Sequence, residues 1–301
     1  MDSLSQLLNM LNPRCEVNLH CRFAGRWEAD HPQLGPGTVP WHAILKGEAR
    51  LQIAGSVYDV RPGDVLLLPQ GSAHTLQGLI DWGHLSPVAK RHNGAVTEVR
   101  AEGEGEAVEV LCGEFNFGPD SRWLFADATK LIVLHTRDRQ DCPELETLLA
   151  MLVRESLAAQ PGGAKLVQHL AATFLTLLLR ILLSQHTPPA GLLRLMTDHR
   201  LTPAVMAVLT DPAQPWTIES LAQRCFLSRA TFARHFAQAY HLTPQTWLTH
   251  LRMAQAARLL KQASTLTVET IAGRCGFASL ASFSRAFKGI YGMTPARYRR
   301  N

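Results

Sequence analysis

The 301-residue chain has few cysteines, no uninterrupted apolar run of membrane-spanning length and, over its last third, very little negative charge. Cys15, Cys21, Cys112, Cys142, Cys225 and Cys275 are too sparse to staple a chain of this size. In a reducing compartment they read as core residues, metal ligands or reactive thiols. Polar and charged residues break every apolar run among the first thirty residues, so nothing there resembles a signal peptide. The most apolar segment, LVQHLAATFLTLLLRILLSQH, carries Gln168, His169 and Arg180. It falls short of about 18–20 uninterrupted apolar residues and reads as a buried or dimer-forming helix. These absences point to a cytoplasmic protein with no membrane partner.

What is present is uneven. Composition is ordinary for a soluble chain, 46% hydrophobic and 18% charged, and the length suits two domains. Residues 211–301 hold 12 Lys/Arg against 3 Asp/Glu, while the rest of the chain holds 18 against 22. A basic block on a mildly acidic body implies an anionic partner for that block alone. Double-stranded DNA is the first candidate, since counterion release supplies non-specific affinity.

Short apolar runs over residues 1–136, such as HAILKGEARLQIAG, VYDVRPGDVLLLP and KLIVLHT, alternate with Gly, Pro and Asp and predict strands joined by tight turns. SPVAKRHNGAVTEVRAEGEGEA reads as a long loop or irregular hairpin. Helical spacing begins at Pro143, with Leu145, Leu148, Leu149 and Leu152 on one face. PGG at 161–163 separates this helix from the Leu-rich one, HTPPAG marks a hinge, and 192–210 forms a helical bridge. The expected class is α+β, a β-rich domain over 1–140, a helical dimerisation or linker region over 141–210, and an all-α domain over 211–301.

The last domain repeats itself. IESLAQRCFLSRATFARHFAQAYHLTPQTW and VETIAGRCGFASLASFSRAFKGIYGMTPARY align at Glu219/Glu269, Ala222/Ala272, Cys225/Cys275, Phe232/Phe283 and Phe236/Phe287. Each unit reads as a short helix, a turn, and a second helix opened by a capping serine, Ser228 or Ser279. That is the pattern of a helix-turn-helix, twice. The small Ala222 and Ala272 let the helices approach, and the phenylalanines four apart fill the space between them. TWLTHLRMAQAARLLKQA is an amphipathic helix that would set the spacing of the two units. Ser228, Arg229, Thr231, Arg234 and His235 in the first unit, with Ser279, Ser282, Arg285 and Lys288 in the second, are the groups a major groove would meet. Cys225 and Cys275 sit at equivalent core positions, where a small apolar residue packs.

IAGRCGFASLASFSRAFKGIYGMTPARYR resembles the signature of the AraC/XylS-type transcriptional regulators. The resemblance covers about 216–300 and rests on Ile271, Ala272, Gly276, Phe277, Ser279, Phe283, Ser284, Phe287, Lys288, Gly292, Thr294, Pro295, Tyr298 and Arg299. It implies sequence-specific DNA binding through two recognition helices, contact with RNA polymerase, action as an activator, and an N-terminal regulatory or dimerising domain. Leu280 departs from the polar residue often found at its position.

GDVLLLPQGSAH, with Gly63, Pro69, Gly71 and His74, resembles the second motif of cupin β-barrels, whose last histidine points inward and often binds metal. ILKGEARLQIAG resembles part of the first motif, but the usual pair of histidines and glutamate are missing from LGPGTVPW, where Pro40 takes the glutamate's place. This argues against a metal-dependent cupin enzyme, the remote alternative. His42 lies two residues beyond Pro40, and alternation sends it to the same inward face. His42 and His74 either meet inside the barrel or are separately satisfied core histidines. With Cys21 and Cys112 facing inward they would make a tetrahedral Zn²⁺ set.

The competing reading of Cys21 and Cys112 is redox, a lowered-pKa thiol oxidised to a disulfide with its partner. CRFAGRW, WHAILKGEA, LLLPQGSAHTL and LCGEF look like the cupin domain of AraC-type regulators that sense reactive chlorine species, which implies Cys21 and Cys112 as the sensors. Oxidation of a metal-binding thiol would release the metal, so the two readings are compatible. The alternatives are two buried, inert thiols, or a regulator whose barrel holds a small organic ligand. The expected protein is a homodimeric, non-enzymatic transcription regulator.

Overall fold

Alternating apolar residues and tight turns produce a sequence of strands: β1 (Arg14–Phe23), β2 (Glu28–His31), β3 (Thr38–Lys46), β4 (Ala49–Ile53), β5 (Ser56–Val60), β6 (Asp64–Leu67), β7 (His74–Gln77), β8 (Val88–His92), β9 (Thr97–Ala101), β10 (Val108–Asn116) and β11 (Ile132–His135). The computed structural model describes residues 2–118, 124–125, 130–137, 139–158, 160–263 and 265–300. Its strands form a seven-stranded sheet, β11-β6-β3-β10-β1-β9-β8, and a four-stranded sheet, β2-β7-β4-β5. Among the described residues, β1 and β9 pair in parallel and the other strand pairs are antiparallel.

One apolar core joins the two sheets. Cys21, Phe23, Ile44, Leu66, Val99, Val110 and Cys112 from the larger sheet pack with Leu51, Ile53 and Leu76 from the smaller. The opposite face of the larger sheet carries Trp41, whose ring lies 5.7 Å from Phe115 and 5.1 Å from Phe174. Gly113 makes this possible, because a Cβ there would fall 2.5 Å from the Trp41 ring and 2.1 Å from the Glu16 carbonyl. Phe174 belongs to α3 (Gly163–Ser184), which follows α2 (Glu144–Ala158). In α2 the expected face is buried: Leu145, Leu148, Leu149 and Leu152. By length and composition α3 would be able to cross a membrane, and its Phe174 is packed on the sheet's aromatic residues. The stretch expected to be a loop or irregular hairpin is the β8–β9 hairpin, tied on to β1.

The other unit is helical: α4 (Leu192–Thr197), α5 (Thr202–Thr210), α6 (Ile218–Arg224), α7 (Arg229–Tyr240), α8 (Pro244–Gln262), α9 (Val268–Arg274), α10 (Leu280–Tyr291) and α11 (Pro295–Arg300). Ser228 and Ser279 cap α7 and α10, each accepting a backbone N–H three residues on at 3.2 Å. Phe283 and Phe287 bury themselves among Met253, Leu260, Ile271 and Ala272. Cys225 and Cys275 are buried at the ends of α6 and α9, as the repeat implies.

The chain divides differently from the expected boundaries at 140 and 210. One compact unit comprises Pro13–Phe117 and Asp127–Ile181; the other comprises Met1–Asn12, Gly118–Ala126 and Leu182–Asn301. The first residues were expected to belong to the β-rich domain, yet they form a helix, α1 (Ser3–Leu11), packed on α5 and α8. Asp2 caps it, accepting the Ser5 N–H at 2.9 Å. Leu4, Leu7, Met10 and Leu11 form its buried face, and Arg258 on α8 donates to the Asn9 carbonyl. Leu7 is fully buried. A Leu7→Ala substitution should destabilise this unit by about 2–5 kcal/mol through lost burial and a cavity, read as a lowered urea midpoint of the helical signal.

Candidate sensor site and nucleic-acid interface

Strand register places four polar side chains at the junction of the two sheets. On the larger sheet His42 of β3 lies directly opposite Cys112 of β10. On the smaller sheet His31 of β2 lies directly opposite His74 of β7. Side chains of directly paired residues leave the sheet on one face, so each pair enters the interior together. The His42 Nε2 and His74 Nε2 atoms are 2.8 Å apart, and His42 Nδ1 is 3.0 Å from Cys112 Sγ. The His31 ring stacks on His74 at 4.6 Å.

One fixed acceptor sets the direction of this hydrogen-bond chain. The Ser72 carbonyl lies 2.7 Å from His74 Nδ1 and can only accept, so Nδ1 carries hydrogen and donates. A neutral His74 then has a lone pair on Nε2, which accepts from His42 Nε2–H. The remaining lone pair, on His42 Nδ1, accepts the Cys112 thiol hydrogen. Neutral rings agree with the surroundings. Burial holds His42 well below the usual imidazole range, with His31 and His74 adding to the effect. Burial likewise lowers His74, and burial with the neighbouring His74 brings His31 down to about 4.

The expected low-pKa thiol is not what the fold provides at Cys112. The adjoining Cys21 thiol and burial push Cys112 well above the ordinary range. The base in hydrogen-bond contact with it is the His42 imidazole, which burial keeps neutral.

Among the described residues, the histidine, cysteine and acidic groups placed to hold a metal are His31, His42 and His74, with ligand atoms all within 4.8 Å of one another. This cluster keeps His42 and His74 of the expected set, adds His31, and leaves Cys21 and Cys112 outside it. Three imidazoles with a fourth position open are a recognised Zn²⁺ donor set. The Ser72 carbonyl orients His74 in the way that second partners orient metal-binding histidines. A tetrahedral ion with bonds of about 2.0–2.1 Å needs the two Nε2 atoms roughly 3.3 Å apart, so the 2.8 Å pair must open slightly. The residues fit a metal. His31 carried no cupin-motif signal; its role comes from the register of β2 with β7.

Cys21 enters from β1, next to β10. Cys112 pairs with Leu19 and Cys21 with Val110, so the two thiols are diagonal neighbours on one face. The ladder is interrupted between Val17 and Leu19, and this extra residue puts Leu19 and Cys21 on the Cys112 side. Both thiols line a cavity of about 410 Å³ with Phe23, Trp27, Leu76, Val99 and Val110.

In the helical unit, Arg234 and Arg285 are exposed on α7 and α10, on the side away from the phenylalanines that face the core. Arg229 forms a 2.8 Å ion pair with Glu219. Thr231 and Ser282 are partly used by the caps, their hydroxyls lying 2.9 Å from those of Ser228 and Ser279. Lys288 is exposed, and His235 is half-buried with Nδ1 unpaired. Leu280 opens α10 where Arg229 opens α7.

Residues 2–184 match the family described as Cupin, and residues 221–301 match the family described as Helix-turn-helix domain. An uncharacterized HTH-type transcriptional regulator of Haemophilus influenzae is 31% identical over 100% of this chain and 99% of its own. The RCS-specific HTH-type transcriptional activator RclR of Escherichia coli is 31% identical over 99% of this chain and 97% of its own. The chain belongs to the AraC/XylS family of transcription regulators, with an N-terminal cupin-type domain. Among solved structures, the DNA-binding domain of AdpA in complex with a target DNA is 37% identical over 34% of this chain and 90% of its own, with a TM-score of 0.32. The full-length relatives are named as transcription regulators, consistent with a DNA-binding and non-catalytic role.

The histidine cluster should make the metal-free protein acid-sensitive. All three rings bind protons less tightly in the fold than in the unfolded chain, where imidazole titrates near 6.5. Their contribution to stability is complete above about pH 6.5 and is lost as pH falls toward about 4, the His31 value. Urea midpoints of chelator-treated protein should fall across that window, and a His31→Phe variant should show a shallower fall.

Proposed function

We propose that this protein is a cytoplasmic, homodimeric transcription activator whose cupin-type domain senses oxidant, reactive chlorine above all, through Cys21 and Cys112, beside a zinc ion held by His31, His42 and His74. The observation that carries this reading is the continuous contact from the thiol pair through His42 to the histidine cluster. A change at sulfur is felt by a ring that belongs to both. α6–α7 and α9–α10 serve as two helix-turn-helix units. Their second helices enter successive major grooves about 34 Å apart, and α3 contributes to the dimer and a further surface to contact with RNA polymerase.

The sensing step balances on hypochlorous acid alone. One thiol attacks chlorine, giving a sulfenyl chloride and water. The second thiol displaces chloride, the S–S bond forms, and HCl leaves, so two thiols have lost two electrons to the oxidant. Diagonal neighbours on antiparallel strands stand roughly 7–8 Å apart, whereas disulfide Cα atoms sit within about 6.8 Å. Closing the bond therefore shifts β1 against β10 and displaces Cys112 from His42. When bound, zinc would supply a Lewis-acidic centre that holds the three imidazoles in one geometry. The chain's own residues orient it, His74 through the Ser72 carbonyl.

Exposure of purified protein to hypochlorite should consume two thiols, form a Cys21–Cys112 disulfide on peptide mapping, and change operator affinity. In the Cys21→Ala, Cys112→Ala double variant, full inducibility would sink the oxidant-sensing function. Elemental analysis of protein never exposed to chelator should find zinc near one equivalent, lost in His42→Ala. Arg234→Ala and Arg285→Ala should each weaken operator binding by about 5–150-fold, the 1–3 kcal/mol expected of an arginine–guanine contact. Unchanged binding in a mobility-shift titration would remove those residues from the interface.

A further inference from the structure

All six cysteines are buried, with 0 to 8% of their surface exposed, so exposure does not distinguish sensor thiols from structural ones. Access does. Cys21 and Cys112 line the 410 Å³ cavity; the other cavities described in this domain, around Gly103 and around Leu149, have no cysteine in their walls. A volume of this size lies within the roughly 300–1,000 Å³ occupied by small-molecule sites.

The walls select what reaches the sulfurs. Leu19, Phe23, Trp27, Leu76, Val99 and Val110 are apolar, while Glu28, Asp30 and Lys90 supply charge. The exposed rim is mixed: Leu85 and Val88 are 56% and 51% exposed, and Glu28, Asp30 and Lys90 are exposed too. Phe23, Trp27, Leu76, Val99 and Val110 are buried and make the interior apolar. Trp82, three residues before Leu85, is 67% exposed. A charged solute would lose hydration on entering without gaining a partner at the thiols. An uncharged apolar solute gains by burial. Held there, it meets either sulfur at a high effective concentration.

We propose that this cavity binds uncharged, apolar electrophiles bearing an activated carbon–carbon double bond, the chemistry of quinones and enones, and delivers them to Cys21 or Cys112. The inference rests on the thiol-sensing function proposed for the same site and names a second class of effector. The step is an addition. The S–C bond forms, the C=C π bond breaks, and the thiol hydrogen ends on the neighbouring carbon or the conjugated oxygen. No oxidant or reductant is consumed. The product keeps the ligand inside the cavity, between the two sheets.

Two maleimides that differ by one carboxylate test this: N-phenylmaleimide, which is neutral, and N-(4-carboxyphenyl)maleimide, which is anionic. Each is incubated with the reduced full-length protein and the adducts are mapped by mass spectrometry, with glutathione as the reference for intrinsic reactivity. The neutral probe should label Cys21 or Cys112 at a rate that saturates with concentration. It should exceed the anionic probe by at least tenfold beyond the glutathione ratio. Cys15, Cys142, Cys225 and Cys275 should label far more slowly. A neutral-to-anionic ratio equal to that of glutathione, or labelling led by the other four cysteines, overturns the proposal. Ala29→Trp, which fills the cavity from β2, should slow the neutral probe. If that variant does not fold, the probe ratio on the wild-type protein decides alone. Hypochlorite is run in parallel. Oxidation of Cys21 and Cys112 without selective maleimide labelling rejects the electrophile site and leaves oxidant sensing intact. Failure of both reagents at these thiols rejects both.

Discussion

His42 is hydrogen-bonded through both ring nitrogens, and the polar interior of the cupin-type domain depends on that. One nitrogen meets Cys112 on its own sheet and the other meets His74 on the facing sheet. A buried imidazole with either partner removed would carry an unsatisfied polar atom, at a cost of about 1–3 kcal/mol. The contact therefore holds the two sheets in a definite relation across a core that is otherwise apolar. The Ser72 carbonyl, fixed by the turn before β7, gives the chain of hydrogen bonds its direction.

That arrangement separates two roles which the donor types alone would merge. Two thiols and two imidazoles are a plausible zinc set by composition, but the fold sorts them by position. The imidazoles of His31, His42 and His74 converge on one point, while the thiols face a cavity that His31 also lines. His42 is the ring hydrogen-bonded to a thiol and to another imidazole. A metal at the histidines and a modification at sulfur are linked through one ring, without the thiols having to be ligands.

The raised Cys112 pKa changes how selectivity is achieved. A redox thiol beside a cation reacts by virtue of its thiolate. Here burial and the adjoining Cys21 keep the proton on sulfur, so selection passes to what can enter the cavity. The apolar walls serve stability and discrimination together, since Phe23, Val99 and Val110 belong to the core as well as to the cavity lining. In the helical unit a similar economy holds. Phe283 and Phe287 face inward, which leaves the opposite side of α10, with Arg285, exposed to solvent.

Local signals in the sequence determined much of this. Turn glycines, alternation and the Leu face of α2 gave the strands and helices, and serine caps with paired phenylalanines gave the repeated helix pairs. The charge surplus and the family signature over 216–300 located the DNA-binding block. Alternation put His42 inside, because side-chain direction along a strand is a local property, and the resemblance to the second cupin motif implied the same for His74. Tertiary structure decided the rest. His31 joins the site only through the pairing of β2 with β7, and Cys21 faces Cys112 through the irregularity at Val17–Leu19. The helix α1 lies next to β1 in sequence but packs on α5 and α8, which no local pattern could assign. Register and packing partners are long-range pairings, and periodicity within one segment does not contain them.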